Sequence, residues 1–210
     1  MSVLTDPFPK SVTVNGTECP VAFDFRTILK CYEIQSGKTE LSQGELLKIL
    51  LLFYRKQKIF SEEHVEKMFW FFSCGREKET KRFPRKIAGV NDKQPFDFEK
   101  DAELIYAGFV QQYGIDLQTE NMHWWKFMIL LENLGSDTRL NRVIEYRTID
   151  TTNRNLSKQE REFYRAMQRY YGLDVKAQQH VSERVKQIEA ALMRGEDVSS
   201  LLAVSYTHLI

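Results

Sequence analysis

Apolar residues in this chain recur every third or fourth position in block after block, and the blocks open on residues that cap helices. A turn of 3.6 residues brings such positions onto one face, so the period is that of an amphipathic helix. Ser42-Gln43-Gly44-Glu45 has the form of a capping box, and Leu46, Leu47, Ile49, Leu50 and Phe53 follow it. Only Lys48 interrupts that stretch, which predicts a central helix. Ser61 opens a second block, with Val65, Met68, Phe69 and Phe72 on one face and Trp70 and Phe71 off it. Those two are either a second buried contact or part of an exposed patch.

The same reading extends in both directions. Ser11–Val14 and Pro20–Phe23 flank Asn15-Gly16, the strongest short hairpin signal, because both residues tolerate positive φ. A small hairpin over residues 11–24 is expected, with Pro20 marking an edge strand and Asp24 capping a short helix from Phe25 to about Tyr32 on Ile28, Leu29 and Tyr32. Further on, a helix over about 98–113 places Phe98, Ala102, Ile105, Phe109 and Tyr113 inward and ends at Gly114. Asp97, Glu99 and Asp101 sit where a helix dipole favours acids. A helix over about 122–134 packs Trp124, Phe127, Leu131 and Leu134 and stops at Gly135, and a helical turn covers Thr138 to Tyr146. A second capping box, Ser157-Lys158-Gln159-Glu160, starts a helix carrying Phe163, Met167 and Tyr170, and a last one shows Val181, Val185, Ile188 and Leu192. The fold class is therefore mainly α: a bundle of about six to eight helices with a small N-terminal β-hairpin.

Between Arg76 and Lys93 seven basic residues meet three acidic ones, with few and unpatterned apolar residues. Residues 75–95 read as a basic linker between an N-terminal part, 1–74, and a helical region, 96–203. The formal charge of +1 gives no global field for nucleic acid or an anionic membrane. Three widely spaced cysteines, Cys19, Cys31 and Cys74, suggest a reducing compartment and no disulfide framework. No signal peptide is read at the start, and the most apolar run, Ile49 to Tyr54, is too short to span a bilayer.

Motifs of catalysis are missing. Gly37-Lys38-Thr39 lacks the upstream glycine of a phosphate loop, and His64, His123, His180 and His208 include no pair at ligand spacing. No catalytic, cofactor-binding or metal-binding residue is assigned, and the chain is read as non-enzymatic. With aromatics at 12% of the chain, the rings are the natural protein-binding anchors. Trp70, Phe71, Trp125 and Tyr171 are the candidates, each with ordinary burial as the competing assignment.

The most distinctive stretch runs from Phe96 to Tyr171. A helix ends in Tyr113-Gly114-Ile115-Asp116-Leu117, then come His123-Trp124-Trp125-Lys126-Phe127 and Tyr146-Arg147-Thr148-Ile149-Asp150. Trp124 and Phe127 share a face with Leu131; Trp125 lies about 100° around and meets a different neighbour or a partner. Lys126 is placed to snorkel over a ring. In this order the stretch resembles the bacteriophage gene-product-fifteen family, over most of the chain.

The resemblance implies a gene in a phage tail-morphogenesis cluster and, by neighbourhood, a tail-assembly chaperone that binds the tape-measure protein, the major tail protein or both. It implies work in the cytoplasm of the bacterial host during assembly, with presence in the mature virion left open, and self-association is a further possibility. Two alternatives stand beside it: a structural tail-completion or adaptor component of the virion, and a nucleic-acid-binding regulator using Arg76–Lys93. Val204-Ser205-Tyr206-Thr207-His208-Leu209 matches the translation of a common sequencing adapter, so 204–210 are expected to be an artefact and to carry no function.

Overall fold

A computed structural model describes residues 3–36, 38, 40–76, 91 and 93–173. Residues Met1–Gly172 form one compact unit; the second unit, Leu173–Ile210, lies outside the described residues apart from its first. The expected helix carrying Val181 to Leu192, the adapter-like 204–210 and positions 77–90 of the expected linker all lie outside the described residues.

The described chain is mainly α: one antiparallel hairpin and seven helices. Strands β1 (Ser11–Val14) and β2 (Thr17–Pro20) pair in the register Ser11–Pro20 to Val14–Thr17, so the second strand starts directly after the two-residue turn, three residues before the expected Pro20–Phe23. Asn15 and Gly16 turn the corner with φ of 48° and 74°, the two positive values that a two-residue primed turn requires. Helix α1 (Phe25–Gln35) is capped by Asp24, whose side chain accepts the Arg26 N–H. It continues past the expected Tyr32. Helices α2 (Gln43–Tyr54) and α3 (Glu62–Phe72) follow, then α4 (Ala102–Tyr113), α5 (Trp124–Glu132), α6 (Arg139–Thr148) and α7 (Lys158–Tyr171).

Local signals account for most of these ends. Both expected capping boxes form: Ser42 with Glu45 opens α2, and Ser157 with Glu160 opens α7. Gly114 ends α4 in the left-handed region at φ 64°. The fourth helix begins at Ala102 rather than Phe98, because Asp97 organises a preceding turn by accepting the Glu99 and Lys100 N–H groups.

Helix α1 packs against α2 and α5, α3 against β1 and α2, α4 against α5 and α6, and α7 against α6. Residues on both sides of the 75–95 segment feed one core. Phe25 stacks on Phe127 at 4.8 Å and Phe127 on Phe109 at 5.2 Å, joining α1, α5 and α4. Backbone bonds fasten the same junction: Phe25 N–H donates to Met122 O at 3.1 Å, and Trp124 N–H to Phe23 O at 2.7 Å.

Four faces differ from those read by periodicity. In α4, Ala102, expected inward, is exposed. In α3 the buried row is His64, Met68, Phe71 and Phe72, while Phe69 turns outward. In α2, Leu47 and Leu51 are exposed, so this helix is buried on one side only, through Ile49, Leu50, Phe53 and Tyr54. In α7 nothing is fully buried, and Phe163 and Tyr170 face out. An all-apolar run such as Phe69-Trp70-Phe71-Phe72 carries no phase of its own. The neighbouring helices decide which two of its rings go inside.

Candidate functional site

Within the distinctive stretch from Phe96 to Tyr171, the motifs His123–Phe127 and Tyr146–Asp150 have definite places in the structure. His123 is the N-cap of α5. Its Nδ1 accepts the Trp125 N–H at 3.0 Å, which leaves Nε2 to donate to Pro9 O at 2.9 Å. Its ring lies between Phe8 and Phe23, stacked at 5.0 and 5.5 Å. Histidine is not a preferred capping residue, so the expected start at about 122 rests on the apolar period and not on a cap signal.

Both tryptophans go inside. Trp124 is fully buried among Tyr32, Phe98 and Phe127, and its indole N–H donates to Phe72 O at 3.0 Å. Trp125 donates to Phe71 O at 2.9 Å and packs edge-on against Trp70 at 5.5 Å. The two indoles thus take up carbonyls in the last turn of α3, which a helix end leaves without intrahelical partners. Immediately beyond, Gly75 adopts φ 69°; a Cβ there would stand 2.8 Å from the Trp125 ring and 3.2 Å from that of Trp70. Lys126 is exposed, and the rings that carry a cation among the described residues are Phe23, under Lys10, and Phe25, under Arg26.

Arg147 and Asp101 form a buried, two-point ion pair at 2.6 and 2.9 Å. Arg147 also donates to Tyr171 O at 2.6 Å and Pro95 O at 3.1 Å, while Asp101 accepts the Asp97 N–H at 2.9 Å. This network ties α6 to the start of α4 and the end of α7. Tyr146 stacks on Tyr171 at 5.8 Å. Asp150 closes the turn after α6 by accepting the Thr152 N–H and hydroxyl at 2.8 and 2.6 Å. With the exception of Lys126, the distinctive residues are joinery.

Of the four binding candidates, Phe71 and Trp125 are buried, at 0% and 4% exposure, which removes them from the surface a partner meets. The cause is the α3–α5 contact just described. Tyr171 is half-buried under Tyr146, and Trp70 stays 38% exposed. The exposed large side chains that periodicity assigned to the core are Leu47, Phe69, Phe163 and Tyr170, joined by Leu51, Ile59, Tyr106 and Val110.

Polar chemistry is sparse. Burial pushes the Cys31 thiol up to about 12 and that of Cys74 to about 11, so neither is an activated nucleophile. Among the described residues no three His, Cys, Asp or Glu side chains gather as metal ligands, and no helix is long and apolar enough to cross a membrane. His64 Nδ1 accepts the Ser61 N–H at 3.0 Å, and its buried Nε2 has no partner. A cleft of about 230 Å³ beside it runs between β2 and residues 54–57.

His123 makes the capping joint sensitive to pH. Burial holds its imidazole below the ordinary value of 6.5, and protonation of Nδ1 removes the acceptor for Trp125 N–H. A depressed folded value means that its stabilisation is complete above about 6.5 and is lost as pH falls through the folded value. Thermal unfolding followed from pH 7.5 to pH 5 should show a falling Tm. His123→Asn keeps a neutral cap acceptor, so the gap between wild type and variant should narrow as pH drops; a gap independent of pH would contradict the assignment.

The described chain is thus a helical scaffold whose motif residues are mostly interior and whose outside retains large apolar side chains. The family is settled by comparison: the model of the bacteriophage Gp15 protein family matches residues 4–173, and the chain belongs to that family. No curated protein and no solved structure matches it.

Proposed function

We propose that the chain is a non-enzymatic phage tail-morphogenesis protein that acts as a tail-assembly chaperone, binding the tape-measure protein, the major tail protein or both in the host cytoplasm. The observation that carries this is the apolar surface left over once the core is complete. Phe69 and Trp70 on α3, Leu47 and Leu51 on α2, and Phe163 and Tyr170 on α7 are all exposed, although rings fill the interior. Large apolar side chains on more than one face of a small protein suit the holding of an extended helical client. Membership of a phage family supports the setting.

Co-expression of the full chain with the tape-measure protein, followed by size-exclusion chromatography with light scattering, tests the proposal. A tape measure made soluble and co-eluting with this chain is the expected result. A tape measure that stays insoluble while this chain elutes alone removes the chaperone reading and favours a component of the virion.

A further inference from the structure

Helix α3 leaves four of its residues exposed: Glu62, Glu66, Phe69 and Trp70. Spacings of four, three and one residues put them on one stripe at 100° per residue. The aromatic end of the stripe is rigid. Trp70 rests edge-on against Trp125 at 5.5 Å, Trp125 is pinned to Phe71 O, and Gly75 fills the remaining space beneath both indoles. A ring held in this way loses little freedom when a partner covers it. At the other end, Glu63 is occupied by the Asn15 N–H at 2.9 Å, whereas Glu62 and Glu66 pair with no cation among the described residues.

We infer that this stripe docks an arginine-bearing amphipathic helix of the client, with cations one turn apart meeting Glu62 and Glu66 and a guanidinium or apolar side chain laid on Trp70 and Phe69. Complementary charge selects the occupant. Two carboxylates one helical turn apart match the i, i+4 spacing of cations on a facing helix, and a guanidinium satisfies a carboxylate and a Trp face at once. Nucleic acid and anionic lipid would meet the same carboxylates as repulsion. The inference rests on the tape-measure reading and names the face that performs it.

The test measures binding of the tape-measure protein to the full-length chain and to two variants, Glu62→Lys/Glu66→Lys and Phe69→Ser, with Tm recorded for each. All three positions are exposed. Because Glu62 lies in the first turn of α3, where the helix dipole favours an acid, the double charge reversal should lower Tm by a few degrees, while Phe69→Ser should stay near wild type. Charge reversal should weaken binding by at least about tenfold and Phe69→Ser by about fivefold or more, as for charged and aromatic anchors at a docking face. The wild-type complex should also weaken with rising salt. If wild type holds the tape measure and both variants hold it equally well, the stripe is not the docking face although the client reading stands. If wild type does not hold it, the client reading fails and the inference falls with it. Self-association lost in the same variants, with client binding intact, would reassign the stripe to a contact between copies.

Discussion

Asp101→Asn is expected to lower the stability of the chain by about 3–5 kcal/mol, the range observed when one partner of a buried ion pair is removed. The geometry gives the reason. Arg147 is 5% exposed, and among the described residues Asp101 supplies the only carboxylate it bonds, at 2.6 and 2.9 Å; its other bonds there go to the neutral carbonyls of Pro95 and Tyr171. Asparagine keeps the shape and one acceptor, yet leaves a buried guanidinium without its counter-charge. Since domains of this size are stable by roughly 5–15 kcal/mol, the loss is a large share of the whole. Urea unfolding followed by tryptophan fluorescence reads it directly. Replacing both partners by apolar residues does not restore wild-type stability here, because the Asp97 N–H and the carbonyls of Pro95 and Tyr171 would then lose their partners. A loss under about 1 kcal/mol for Asp101→Asn would show that the pair is wetter and weaker than its distances imply.

Trp124→Ala is the second large loss, again about 3–5 kcal/mol, from the cavity left by a fully buried aromatic. Its indole meets Tyr32, Phe98 and Phe127 within 6 Å, with centroids at 5.6, 5.9 and 5.7 Å, and so touches rings from α1, the turn before α4, and α5 itself. Trp124→Phe separates the two contributions. Phenylalanine refills most of the volume but leaves Phe72 O without the indole N–H, so a smaller loss of about 1–3 kcal/mol is expected. If the two variants were equally unstable, the hydrogen bond rather than the packing would be the joint between α3 and α5.

Much of this architecture was legible in the residues. Asn15-Gly16 set the hairpin, Ser42 with Glu45 and Ser157 with Glu160 set two helix starts, and Gly114 set a stop, because each acts through its own backbone neighbourhood. What escaped depends on contacts remote in sequence. Asp101 reads locally as an acid at a helix start, but its partner is 46 residues away. His123 caps through Nδ1 while Pro9, 114 residues away, takes its other nitrogen. The phase of Phe69-Trp70-Phe71-Phe72 is fixed by the indoles of α5, which take the carbonyls of Phe71 and Phe72 and so bury those two rings. The candidate site divides along the same line. Trp70 is exposed as its helical position allows, while Phe71 and Trp125 are consumed by a contact that no spacing within either helix reveals.

On the proposed function the labour is divided: the motif residues His123–Phe127 and Tyr146–Asp150 hold the scaffold, and client binding falls to the outer faces of the helices. Hydrogen–deuterium exchange of the full chain, alone and with the tape-measure protein, tests this most directly. New protection over residues 62–73, with segments 123–131 and 146–150 already slow and unchanged, is the expected result. New protection confined to 123–127, with 62–73 unaffected, would mean that the distinctive residues are themselves the binding surface, and would contradict it.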